Sequence, residues 1–154
     1  PCTIRFAQVQ GRPLVSPAPS TFAMRTVELS VCTLTFLEED IAHAHFHDGL
    51  TAGAADVDEL FDAIHRSRGE HKTLLVVSFG DGADMDNEAR AHAASDAGSH
   101  LIAADAIVVR DFGHQMRANV FVRVNKPKRP IQLFPDMDSA LAWLREQRTL
   151  IDHA

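Results

Sequence analysis

His43, His45 and His47 alternate through the segment Ile41 to His47. In an extended chain that spacing puts three imidazoles on one side, and neutral imidazole nitrogen is a common zinc ligand. The competing reading is a solvated sheet face, because three such residues span about 13 Å at roughly 3.3 Å per residue, too far to share one ion without distortion. A pair, His45 and His47 helped by Asp48, is the better metal candidate, and the residues alone assign no metal. Asp81, Asp84, Asp86 and Glu88 crowd the segment after the apolar run Leu74 to Val77, where α/β sheets place ligands. Carboxylates there could hold a hard cation. The spacing lacks the repeated Asp-x-Asp and distant glutamate of a calcium loop, so a polar turn with a helix cap is the better reading. Asp81, Asp84, Asp86 and Asn87 stand as candidates for contact with a ligand or partner. Arg90, Arg110 and Arg117 join them, since Arg90 and Arg110 could flank the ends of the central strands and hold a small anion. Arg123, Lys126, Lys128 and Arg129 cluster around two prolines and read as a solvated connector.

No nucleophile elbow, P-loop, dinucleotide fingerprint, His-Glu-x-x-His helix or cysteine pair is present. No catalytic residue and no cofactor is assigned, and a non-catalytic protein is expected.

These side chains must be positioned by an alternating pattern of strands and helices. Residues 1–23 carry Pro13, Pro17 and Pro19 without a hydrophobic period and read as a flexible leader, with Met24 as a natural starting point. From Arg25 to Phe36 the apolar positions Val27, Leu29 and Val31 shift phase to Cys32, Leu34 and Phe36, as a strand with a bulge would. Glu38-Glu39-Asp40 reads as a hairpin turn, followed by a strand whose Ala42, Ala44 and Phe46 face the core. Val57, Leu60, Phe61 and Ile64 are spaced for a helix that ends at Gly69. Leu74 to Val77 and Ala106 to Val109 are apolar runs of the kind buried in parallel sheets, and the alanine-rich segment from Asn87 to Ala97, capped by Asp86, fits the helix between them. Phe112, Met116, Val120 and Val124 recur every four residues, consistent with a helix, although Val120 to Val124 also alternates like a strand. A strand between Pro130 and Phe134 and a helix presenting Ala140, Leu141 and Leu144 complete the chain.

The stretch Asn119-Val-Phe-Val-Arg-Val-Asn-Lys-Pro127, the strand from Pro130 to Phe134, and the closing helix with Ala140 and Trp143-Leu144 together resemble the last α-β-α unit of the STAS-like proteins. These are small α/β domains related in fold to SpoIIAA-like sporulation regulators and to SEC14-type lipid carriers. The likeness extends to the hairpin, to the helix around Leu60-Phe61 and to Asn87-Glu-Ala-Arg90, and it favours a helix over Val120 to Val124. It implies a single α/β STAS-like domain over residues 24–150, ordered β-β-α-β-α-β-α-β-α, with a mixed, mostly parallel sheet and flanking helices. Regulatory STAS proteins are phosphorylated on a serine at the start of the helix after the central strand. Here Ser78 lies back in the strand, and no serine or threonine opens the helix at Asn87, so the usual phosphoswitch is not expected. The resemblance implies a regulatory or protein-interaction domain. The alternative is a small-molecule or lipid carrier of SEC14 type, with an apolar cleft near Phe112, Met116 and Phe121.

Composition fits one soluble domain. The chain has 154 residues, 45% hydrophobic and 23% charged, enough for one packed core. A net charge of −6 opposes non-specific attraction to nucleic acid, and no aromatic residues interleave with the basic cluster. No apolar run approaches the length of a bilayer. A cytoplasmic protein is expected, with a protein partner, a small ligand or a second copy of itself as its binding class. Cys2 and Cys32 are not expected to form a disulfide.

Overall fold

A phase shift in a strand pattern can mean a bulge or a reversal of the chain, and here it means reversal. The computed structural model describes residues 23–152, so the reading of residues 1–23 as a leader lies, but for Ala23, outside the described residues, as does Cys2. β1 (Arg25–Glu28) and β2 (Cys32–Glu38) are separate antiparallel strands. A tight turn joins them, in which the Leu29 N–H donates to the Cys32 carbonyl at 2.9 Å. Reversal places Val27 opposite Leu34, so both phases of the pattern reach the same core; a bulge would have sent one of them to solvent. The irregularity that does occur lies later, between Phe36 and Glu38. β3 (Ile41–Phe46) follows the expected turn.

After a two-residue strand, β4 (Thr51–Ala52), comes α1 (Ala54–Arg68), then β5 (Thr73–Phe79), β6 (Asp84–Met85), α2 (Asn87–Ala93), α3 (Asp96–Leu101) and β7 (Ile102–Val108). The chain continues through α4 (Phe112–Asn125), β8 (Ile131–Phe134), α5 (Met137–Glu146) and α6 (Arg148–Asp152). The six-stranded sheet has the order β1-β2-β3-β5-β7-β8. Its first three strands are antiparallel and those from β3 to β8 parallel. This is a mixed α/β domain with a mostly parallel sheet and flanking helices, the architecture the resemblance implies, with an extra first strand, the small β4–β6 pair and α6 added. Among the described residues no helix is long and apolar enough to cross a membrane.

Strand alternation gives the sheet two faces. Leu34, Phe36, Ala42, Ala44, Phe46 and Leu75 pack beneath α1, whose Val57, Leu60, Phe61 and Ile64 are all buried. Their i, i+3, i+4, i+7 spacing makes one apolar stripe. The Gly53 N–H donates to Asp56 Oδ2 at 2.8 Å at the start of α1, and Gly69, at φ 62°, ends it. Ile41, Leu74, Val76, Ala104 and Ala106 form the opposite face, closed by Ala140 and Leu144 of α5. Arg145 and Arg148 then grip the β2–β3 turn. Arg145 Nη2 reaches Glu38 at 2.6 Å, and Arg148 reaches Asp40 at 2.8 Å and Glu38. These contacts hold the Glu38 and Asp40 carboxyls below the usual carboxylate range.

The single helix expected from Asn87 to Ala97 is broken. Ser95 has an extended backbone as the N-cap residue of α3, and its Oγ donates to the His92 carbonyl at 2.6 Å. The break lets α3 close on its neighbours at Gly98, where an added Cβ would sit 2.7 Å from the Ala93 carbonyl oxygen and 2.9 Å from Phe61 Cζ. Gly98→Ala is therefore expected to destabilise the protein by about 1–3 kcal/mol, despite alanine's better helix propensity. A urea unfolding curve with an unchanged or higher midpoint would show that the contact gives way freely.

Candidate functional site

Beyond the end of β5 the chain turns through Gly80 to Ala83, with Gly82 at φ 74°, and enters β6, which pairs with β4 as Thr51↔Asp84 and Ala52↔Met85. Gly80 allows Asp48 to come close, since a Cβ there would lie 1.9 Å from Asp48 Oδ1. That oxygen accepts from the Asp81 N–H at 3.0 Å. Asp81 thus serves the turn through its backbone and does not join the other candidates. Asp86 caps α2, accepting from the Ala89 N–H at 2.8 Å. Asp84 is the centre of the expected set. It accepts from Arg90 Nη2 at 2.9 Å, with Arg117 Nε at 3.9 Å, while Arg90 Nη1 donates to Asn87 Oδ1 at 3.1 Å. Asp84, Asn87, Arg90 and Arg117 therefore come together.

Arg110 lies beside them and is used structurally. Its Nη1 donates to the Gly80 carbonyl at 2.7 Å, tying the end of β7 to the turn after β5. Asp111 caps α4 by accepting from the His114 N–H at 2.8 Å. The Arg110 N–H donates to His114 Nδ1 at 2.9 Å, which leaves the neutral ring's proton on Nε2. His114 is buried edge-on to Phe79, with ring centroids 4.8 Å apart. Burial, then the charges of Arg110 and Arg117, push its pKa down.

Between α2, α4 and the sheet lies a cavity of about 90 Å³, walled chiefly by apolar side chains including Val77, Phe79, Met85, Ile107 and Phe121. Arg90 and Arg117, both partly exposed, stand on its lining with Asp84. Two buried charges complete it, and sequence reasoning missed them. Asp105 of β7 receives Arg129 on Oδ2, from Nε at 2.9 Å and Nη2 at 2.7 Å. Arg129 also donates to the Ala93 carbonyl at 2.8 Å and to Ser99 Oγ at 3.1 Å. It is no solvated connector, as its position in the basic cluster had implied, because Asp105 in the sheet needs a cation. Burial pushes the Asp105 carboxyl up against the pull of Arg129. The signal was present in Ile102-Ala-Ala-Asp-Ala-Ile-Val, a lone carboxylate in a strand covered on both sides.

α4 is a helix, as the four-residue period and the resemblance implied, but its period does not mark the buried side. His114 and Ala118 face inward. Phe112, Met116, Val120 and Val124 are exposed, with Phe112 at 75% and Val124 at 69%. Of the three residues expected to line a carrier's cleft, only Phe121 borders the cavity.

The histidine face takes a different form. His43 Nε2 and His45 Nδ1 share Ser78 Oγ at 2.7 and 2.8 Å. His47 Nε2 instead meets Thr33 Oγ1 at 2.8 Å. His45 and His47 thus turn to different partners, and among the described residues no group of three or more His, Cys, Asp or Glu is placed to hold a metal ion. Burial and then the neighbouring His45 lower the pKa of His43. Cys32 is buried, its thiol pushed up to about 12 chiefly by desolvation.

No curated protein matches the chain. Among solved structures, it is similar to the crystal structure of an uncharacterized protein of the DUF3478 family with a SpoIIAA-like fold from Shewanella loihica PV-4. The identity is 12%, the match covers 79% of this chain and 92% of that one, and the TM-score is 0.47. A family model described as a domain of unknown function, DUF7793, matches residues 35–148. That match takes in every strand from β3 onward, the cavity and both of its buried charges, and the chain belongs to the DUF7793 family.

Proposed function

We propose that the chain is a non-catalytic interaction domain that docks an acidic protein surface with an apolar centre onto the outer face of α4. The observation that carries this reading is the row Phe112, Met116, Val120 and Val124, four apolar side chains exposed along one helix. Contiguous apolar surface with a polar rim is typical of protein contacts. The rim is basic. Between Asp111 and Lys128 the chain has four exposed lysines and arginines, Arg117, Arg123, Lys126 and Lys128, against one acid, Asp111, in a molecule of net charge −6. Residues 1–22 carry two arginines and no acid, so their charge does not complement this face, and a second copy would bring a like-charged basic rim against it. An acidic partner satisfies both terms. The absence of a serine or threonine at the start of α2 supports a partner exchange that does not use the STAS phosphoswitch.

A lipid carrier fits less well, because a cavity of about 90 Å³ falls well short of the several hundred Å³ common for drug-sized ligands. Capture of partners from native cells, followed by binding with the purified partner, tests the docking reading. The partner should be acidic and should bind at least about tenfold more weakly to Met116→Glu and to Val120→Glu, a loss of ~1.4 kcal/mol or more. Both variants should melt within a degree or two of the parent, since the positions are exposed. A partner that binds both variants undiminished would refute the assignment of the α4 face, and a dimer abolished by both would replace the acidic partner with a second copy.

A further inference from the structure

The cavity beneath α2 and α4 contains a feature that docking on the outside of α4 does not use. Asp105 Oδ1 is buried and accepts no hydrogen bond, although Asp105 borders the cavity. Both close contacts from Arg129 fall on the other oxygen, Oδ2. A buried acceptor left unpaired is costly, and structures ordinarily satisfy such groups. On the same lining, Arg90 and Arg117 share the single carboxylate of Asp84, so one positive charge is in excess there. Apolar side chains make up most of the wall between.

We infer that this cavity is a binding site for a small organic monoanion whose carboxylate meets Arg90 and Arg117 and whose far end donates a hydroxyl hydrogen bond to Asp105 Oδ1. Each end of the ligand is dictated by a separate group. Guanidinium groups suit a carboxylate because their donors are planar and paired. The deep group is a neutral hydroxyl because Arg129 already balances the charge of Asp105, and a second buried cation would be uncompensated. The middle is apolar and short. A volume of about 90 Å³ holds one ring or a few methylenes.

The probes are 4-hydroxybenzoate, 4-hydroxyphenylacetate and 3-(4-hydroxyphenyl)propanoate, which lengthen stepwise, each paired with its analogue lacking the hydroxyl. Binding to the full chain is followed by protein-observed NMR and calorimetry. At least one hydroxy acid should bind with a sub-millimolar Kd, and its analogue should bind about tenfold more weakly. Because the hydroxyl is removed from the ligand, the comparison does not depend on whether Asp105 variants fold. Arg90→Gln and Arg117→Gln should each weaken the hydroxy acid several-fold and shift no resonance of the opposite sheet face. Failure of all three acids to bind at 5 mM, or equal affinity with and without the hydroxyl, would overturn the assignment. So would a crystal structure in which a water satisfies Oδ1 and persists in the presence of the acids. The docking of α4 is tested separately by Met116→Glu, which lies outside the cavity, so either reading can fail alone.

Discussion

Arg129→Met is expected to lower stability at pH 7 by about 3–5 kcal/mol, because it leaves the Asp105 carboxylate buried without its counter-charge. Arg129 supplies both donors on Asp105 Oδ2 and also bonds the Ala93 carbonyl and Ser99 Oγ, so it ties β7 to α2, α3 and the connector before β8. The variant loses all three attachments. The loss should depend on pH in a defined direction. Burial already raises the folded-state pKa of Asp105 with Arg129 in place, and without Arg129 it rises further above its unfolded value of about 4, because desolvation is then unopposed. The penalty is full above the folded pKa and fades as pH falls toward the unfolded one. Urea unfolding at pH 7 and pH 5 should therefore show a larger gap from the parent at pH 7. The double variant Asp105→Leu with Arg129→Met should recover most of the stability, since a well-packed apolar pair often equals or exceeds a buried ion pair. If the single variant loses less than 1 kcal/mol, or the gap is the same at both pH values, the carboxylate is not held ionised by Arg129.

The fates of Arg129 and its neighbours show why part of the site could not be read in advance. Lys126, Lys128 and Arg129 are nearly adjacent, yet Arg129 alone is buried, and what separates them is an aspartate 24 residues earlier in the chain. Local composition has no access to that pairing. By contrast α1, the β5 and β7 runs and the turn and cap from Asp81 to Asn87 were legible, because each depends on residues within one or two turns of one another. The strand-end argument singled out Arg90 and Arg110, of which Arg90 stands with Asp84 and Arg117 while Arg110 is tied to the Gly80 carbonyl, and Asp81 shared that location and was taken by the turn. For α4 the period identified a helix, but apolar residues occur on both of its sides, and period alone does not choose between them. Ala118 and His114 face inward, with Phe121 on the cavity lining, and the apolar row Phe112, Met116, Val120 and Val124 is left outside. The split at Ser95 was legible in principle: a serine followed by aspartate is an N-terminal helix signal in the middle of a helical run.

Leu144→Ala is expected to cost about 2–5 kcal/mol, as large a loss as any single truncation in this chain should give apart from Arg129. Leu144 is fully buried, and with Ala140 it is the part of α5 that closes the sheet face formed by Ile41, Leu74, Val76, Ala104 and Ala106. That face is lined largely by small residues. Alanines at 104 and 106 have no flexible length with which to fill a hole, so the cavity left by the lost carbons should persist and the cost should fall in the upper half of the range. The ion pairs from Arg145 and Arg148 to Glu38 and Asp40 also hold this end of the chain to the sheet, but they are partly exposed and each contributes little. They cannot substitute for the apolar contact. The paired control is Met116→Ala on α4, an apolar truncation of similar size at an exposed helical position, which should change stability by less than about 0.5 kcal/mol. Chemical unfolding of both variants separates the roles of the two helices: α5 holds the fold together and α4 presents a surface. Comparable losses from the two substitutions would mean that the Met116 face is already packed against something in the free protein, and the docking assignment would have to be withdrawn.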